Sequence, residues 1–137
     1  MSWAPERIDV DTWPAIYAIL APALAQSDAT LTSLIDELIA STAQLWVLRE
    51  GGDPVAAAVS ELDETPQGLV VHVRLLAGKN MGRWLDSGIA CLSHHASERG
   101  AIGLTLDGRK GWERVLGHRG WERKTVKMML AFEREPA

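Results

Sequence analysis

Cysteine, tyrosine and phenylalanine each occur once in the 137 residues, and basic residues are outnumbered by acidic ones, 14 to 18. A lone Cys91 can close no internal disulfide, so the fold has to rest on burial and hydrogen bonding, as in a reducing, cytoplasmic compartment. Its place on an apolar helix face reads as a small buried hydrophobe. The formal charge of -4 argues against general nucleic-acid binding. No apolar run approaches the roughly 20 residues of a membrane span. The opening MSWAPERIDVD has neither the basic start nor the apolar run of a targeting segment, so a soluble, unprocessed protein is expected. No metal site is expected either, because Cys91, His94 and His95 have no second cysteine or carboxylate to complete a ligand set, and adjacent helical histidines diverge.

What the chain does have is apolar side chains, 47% of the sequence, ample for one core in a single domain spanning residues 1–137. Ile8 and Val10 alternate with Arg7 and Asp9, which suits a short N-terminal strand or an irregular lead-in. Asp11 or Thr12 can cap a helix that carries Pro14 near its start and Ile16, Ile19, Leu20 and Leu24 on one face, and Pro22 should kink or end it. Asp28 or Thr30 opens a second helix, with Leu31, Leu34, Ile35, Leu38 and Ile39 as its stripe. Three strands follow: LWVLRE, PVAAAVSELDE after the turn Gly51–Pro54, and GLVVHVRLL after a turn near Thr65–Gly68. In the last of these, Leu69, Val71, Val73 and Leu75 share one face, and Val70, His72 and Arg74 the other. Trp84, Leu85, Gly88, Ile89, Leu92 and Ala96 then keep helical spacing up to Gly100, a suitable C-cap residue. A strand over Ile102–Leu106, a short helix in GRKGWERVLGHRGW and a strand over Lys124–Phe132 complete the chain. The order α-α-β-β-β-α-β-α-β predicts an α+β fold with helices on a mainly antiparallel sheet, plus one parallel pair made by the crossover from Leu69 to Ile102.

Two stretches carry chemistry. In LLAGKNMGRWL, Leu75 to Leu85, apolar alternation stops at a basic, glycine-bearing turn and a helix begins, an arrangement that exposes backbone amides to an anion, with Lys79 and Arg83 as charged partners. Trp84, at the start of that helix, reads equally as core. His72, an imidazole on the strand leading into this turn, reads first as a solvent-facing strand histidine and only second as a candidate base. The second stretch is the basic cluster Arg109, Lys110, Arg114, His118, Arg119, Arg123 and Lys124, with Trp112 and Trp121 among it, either a solvated helix and turn or a protein-contact surface over Arg109–Lys124.

The element order, the strand-turn-helix VHVRLLAGKNMGRWL and the Gly120-Trp121 pair before the final strand resemble the GNAT N-acetyltransferases. The LAG…WL and GR-x-GW-x-R-V-L patterns also resemble the small GNAT-like proteins of tailed bacteriophages and prophages. The resemblance implies an acetyl-CoA site formed by strand-edge amides near Leu75 and Leu76 and by the turn with Gly78, Lys79, Gly82, Arg83 and Trp84. It also implies departures from the family pattern. The loop should read Gln or Arg, two residues, Gly, one residue, then Gly or Ala. Setting Gly82 on the first glycine puts Lys79 at the basic position and Trp84 where a small residue belongs; shifting by one to match the helix phase puts Arg83 on the glycine, and neither register restores the motif. The tyrosine that serves many members as acid, four residues before the Gly-Phe pair, is here Leu116. Two functions follow: an acetyl-CoA-dependent N-acyltransferase of open acceptor, or a catalytically inactive GNAT-fold structural or accessory protein of a phage particle, located in the virion.

Overall fold

The computed structural model describes residues 2–107, 116–117, 119–124 and 127–132. The chain forms two compact units, Met1–Glu61 with Arg74–Cys91, and Leu62–Val73 with Leu92–Ala137.

The first unit contains strand β1 (Ser2–Glu6), helices α1 (Trp13–Ala25) and α2 (Leu31–Ile39) and strand β2 (Gln44–Glu50). It also holds the start of β3 (Asp53–Thr65), the end of β4 (Gly68–Gly78) and the start of α3 (Met81–Glu98). β1 runs antiparallel to β2 from Ser2 opposite Arg49 to Glu6 opposite Leu45. Arg49 grips the Glu6 carboxylate through two nitrogens, each at 2.8 Å, and this hydrogen-bonded pairing raises the guanidinium pKa above its ordinary value. β2 and β3 form the expected hairpin, although Asp53 and Pro54 belong to β3 and not to its turn. On one sheet face Leu45, Val47, Ala57, Val59 and Leu75 form a core with Ile16, Leu20, Leu24, Leu34 and Leu38 of α1 and α2. That alternation is the period of two by which a strand buries one face.

Helix α2 begins where its sequence signals: the Thr30 hydroxyl accepts from the Ser33 N–H at 3.1 Å and the Ser33 hydroxyl accepts from the Thr30 N–H at 3.3 Å. α1 departs from expectation at its start, and of the two outcomes expected at Pro22, a kink or an end, the end does not occur. Thr12 makes no side-chain cap; the Trp13 N–H instead bonds the Asp9 carbonyl at 2.8 Å. Pro22 does not end the helix, which continues to Ala25, because Pro22 faces solvent while Ala23 and Leu24 anchor the last turn in the core. In β4 burial does not alternate: Val70 to Val73 are all buried and Arg74 is only partly so. Its guanidinium pairs with Glu37 of α2, with Glu61 at 3.9 Å, while the next residue, Leu75, joins the same core as α2's Leu34 and Leu38.

In the second unit, β4 pairs in parallel with β5 (Gly103–Asp107), Val71 opposite Leu104, His72 opposite Thr105 and Val73 opposite Leu106, with α3 as the connecting helix. This is the expected parallel pair. The end of α3 is a Schellman turn: Ala101 N–H bonds Ala96 O at 2.9 Å, Gly100 N–H bonds Ser97 O at 3.1 Å, and Gly100 has φ +75°. The single C-terminal strand expected over Lys124–Phe132 is instead a pair, β6 (Glu122–Lys124) and β7 (Lys127–Ala131), antiparallel with Lys124 opposite Lys127. β7 also runs antiparallel to β5. Of the short helix expected in GRKGWERVLGHRGW, residues 108–115 and 118 lie outside the described residues; Leu116 and Gly117 are helical, and the Leu116 carbonyl accepts from Arg119 and Trp121 across Gly120, whose φ is +82°. The chain is α+β, with a mainly antiparallel sheet and helices.

Candidate functional site

The turn from β4 into α3 gathers Leu75, Leu76, Gly78, Lys79, Gly82, Arg83 and Trp84 within the first unit. Leu75 and Leu76 bury their side chains, leaving their backbone as the part of them a ligand can meet. Gly78 is where β4 presses on β3: a Cβ there would lie 2.6 Å from the Ala56 Cβ and 2.8 Å from the Val55 carbonyl oxygen. The next amide, of Lys79, bonds that same Val55 oxygen at 3.3 Å. Asn80 takes φ +55°, a region Asn tolerates better than other side chains, and reverses the chain into α3.

The two glycines of the turn do different things. Gly78 is required by packing. At Gly82 a Cβ would meet nothing within 4 Å, so the space over the first turn of α3 is open. Lys79 and Arg83 are both exposed beside it. Arg83 reaches Glu50 at 3.4 Å with both side chains more than half exposed, a weak pair that an anion can displace. The unpaired N–H groups of a helix's first turn favour negative charge in this place.

Trp84 points inward. Its side chain is 2% exposed, it stacks edge-on against Trp3 of β1 at 6.1 Å between ring centroids, and its indole N–H donates to the Lys79 carbonyl at 2.8 Å. Of the two readings of Trp84, the structure shows a buried side chain that also braces the turn.

His72 belongs to the second unit and is 5% exposed, which overturns the solvent-facing reading. Its Nδ1 lies 2.7 Å from the Thr105 hydroxyl, the residue opposite it in the β4–β5 ladder. Both faces of β4 are buried here, so the alternation that suggested an outer face for His72 marked a strand covered on both sides. Leu116, where the resemblance places an acid, is a fully buried aliphatic residue.

The remaining titratable groups do not converge. Among the described residues no three His, Cys, Asp or Glu side chains are grouped to hold a metal ion. His94 pairs with Glu98 at 2.9 Å on the helix surface. Burial raises the Cys91 thiol pKa, and burial together with nearby Arg99 lowers that of His95. Of the basic surface Arg109–Lys124, residues 108–115 and 118 are outside the described residues. No helix among those described is long and apolar enough to cross a membrane. Asn80 and Trp3 had no signal in the sequence that tied them to the β4–α3 turn, and Thr105 had none that tied it to His72. Trp3 in particular acts across 84 positions of chain.

Solved structures share this architecture over nearly the whole chain. A predicted acetyltransferase from Clostridium acetobutylicum, crystallised with acetyl-CoA, matches 90% of this chain and 92% of its own at TM-score 0.66 and 14% identity. A GNAT family acetyltransferase from Brucella melitensis, in complex with acetyl-CoA, matches 98% and 91% at TM-score 0.65 and 15% identity. This chain has the GNAT fold. N-acetylglutamate synthase from Neisseria gonorrhoeae, complexed with coenzyme A and N-acetyl-glutamate, carries the same GNAT fold in 36% of its length, covering 98% of this chain at TM-score 0.73 and 12% identity. No protein-family model matches the sequence, and no curated protein matches it significantly. The GNAT fold is therefore visible in the backbone where sequence identity is low.

Proposed function

We propose that the chain binds acetyl-CoA at the β4–α3 turn and acts as an N-acyltransferase. The observation that carries this reading is the open space over Gly82, flanked by exposed Lys79 and Arg83 at the N-terminus of α3, in a fold whose solved examples hold acetyl-CoA. The residues fit the group: Lys79 and Arg83 would pair with phosphate charge, and the first amides of α3 would approach it where no side chain intervenes. When bound, acetyl-CoA supplies an acetyl thioester that is open to attack by an amine.

The chain's own contribution is to orient and to manage protons. An amine attacks only when neutral, so its proton has to leave, and His72 is the candidate acceptor, held by Thr105 at 2.7 Å. Leu116 can donate no proton, so in this reading solvent takes over the role of the acid. The test is calorimetric titration with acetyl-CoA. Micromolar binding that weakens at least tenfold in Lys79→Ala or Arg83→Ala is expected, and silence at millimolar ligand refutes the reading. If turnover is found, His72→Gln should lower kcat while leaving acetyl-CoA affinity unchanged.

A second reading is favoured by the aliphatic, buried Leu116: a catalytically silent GNAT-fold accessory protein, which the resemblance to phage-encoded chains would place in a virion or its assembly, with Arg109–Lys124 as contact surface. A monomeric protein with robust CoA-dependent turnover would rule it out.

A further inference from the structure

We propose that Trp84 and Trp3 are positioning residues for the anion-binding turn, so that docking of the N-terminal strand β1 and affinity for acetyl-CoA are coupled. The inference rests on the acetyl-CoA reading above.

The argument begins with one peptide group. The chain has no cis peptide bond among the described residues, and in a trans peptide the C=O and the following N–H point in opposite directions. The Lys79 carbonyl is fixed on the Trp84 indole N–H at 2.8 Å. The Asn80 N–H is therefore turned away from the buried ring, and among the described residues no acceptor takes it. The Asn80 carbonyl in turn accepts from the Arg83 N–H at 2.8 Å, closing the first turn of α3. One indole thus decides which way the donor just ahead of the helix points.

The indole is itself held from β1. Trp3 packs edge-on against it, with ring planes at 68°. The Trp3 N–H donates to the Ser87 hydroxyl at 3.1 Å, and that hydroxyl donates to the Trp84 carbonyl at 2.9 Å. Gly88 makes room for Trp3, since a Cβ there would stand 3.1 Å from the Trp3 ring. Strand docking and turn geometry consequently share one side chain. By linkage, a ligand that favours the ordered turn favours the docked strand by the same factor.

Trp84→Phe keeps an aromatic ring of smaller size and deletes the donor; Trp3→Leu removes the brace from β1 without touching the turn. The measurements are acetyl-CoA affinity by calorimetry and amide hydrogen exchange at residues 79–83 and 2–6, with circular dichroism as the check on folding. Each variant is expected to bind about tenfold more weakly, the loss of roughly one buried hydrogen bond or its equivalent in order. Exchange at residues 79–83 should speed up in both, and acetyl-CoA should slow exchange at residues 2–6 in the wild type. Wild-type binding, with variant affinities within twofold and unchanged exchange at residues 79–83, overturns the brace while leaving the acetyl-CoA reading standing. A wild type silent at millimolar acetyl-CoA overturns both. If Trp84→Phe fails to fold, Trp3→Leu carries the same thresholds alone.

Discussion

Gly78 and Gly82 look interchangeable in AGKNMG, and the structure separates them. A methyl at position 78 would collide with the Ala56 Cβ at 2.6 Å and with backbone at 2.8 Å, neither of which is a flexible tip that can swing aside. Gly78→Ala should therefore destabilise by roughly 1–3 kcal/mol, seen as a lower urea midpoint at unchanged slope. Gly82→Ala meets nothing within 4 Å and gains helix propensity, so it should stabilise by up to about 1 kcal/mol in the same experiment. If the first amides of α3 meet the cofactor as proposed, Gly82→Ala should also weaken acetyl-CoA binding, gaining stability while losing affinity. No sequence pattern distinguishes the two sites, because the difference lies in how closely β3 passes one of them. Trp84 is a similar case: its helical spacing gave away its burial, but its bond to the Lys79 carbonyl depends on the conformation of the turn.

Elements were legible wherever a local signal agreed with burial. Thr30, one of the two residues expected to open α2, caps it together with Ser33, and Gly100 closes α3 at φ +75°. Thr30→Ala should cost about 1 kcal/mol of stability, measured by denaturant unfolding, because it leaves the Ser33 N–H without its acceptor. Local signals failed where tertiary packing set the outcome. Pro22 is carried inside α1 because Ala23 and Leu24 are held in the core. The run Lys124–Phe132 reads as one strand, yet its first residue ends β6 and Lys127–Ala131 form β7, which pairs back on β6 and also on β5. Arg74 is tolerated in the largely buried β4 because Glu37 on α2 and Glu61 on β3 pair with its charge. In the candidate site, the positions of Lys79, Gly82 and Arg83 followed from the strand-to-helix change of period. The burial of His72 did not, because alternation cannot reveal whether a second layer covers the outer face.

At the scale of the whole molecule, pH acts through net charge and through His95. The chain carries -4 at pH 7 with a sequence pI near 5.5, so acidification from neutrality removes the repulsion that keeps copies apart. Burial, and secondarily Arg99, lowers the pKa of His95 from its ordinary value of 6.5. The unfolded chain then binds a proton more readily than the folded one. Stability is fully present above the unfolded pKa and is lost as the pH falls through the folded one, a window that opens below about 6.5. The melting temperature should decline between pH 7.5 and 5.5, and His95→Gln, which cannot take up the proton, should flatten that decline relative to wild type. Measuring melting at several protein concentrations separates the two causes: charge loss near the pI makes the transition concentration-dependent, whereas the His95 contribution does not change with dilution. An equally steep decline in His95→Gln at low concentration would show that the proton is taken up elsewhere.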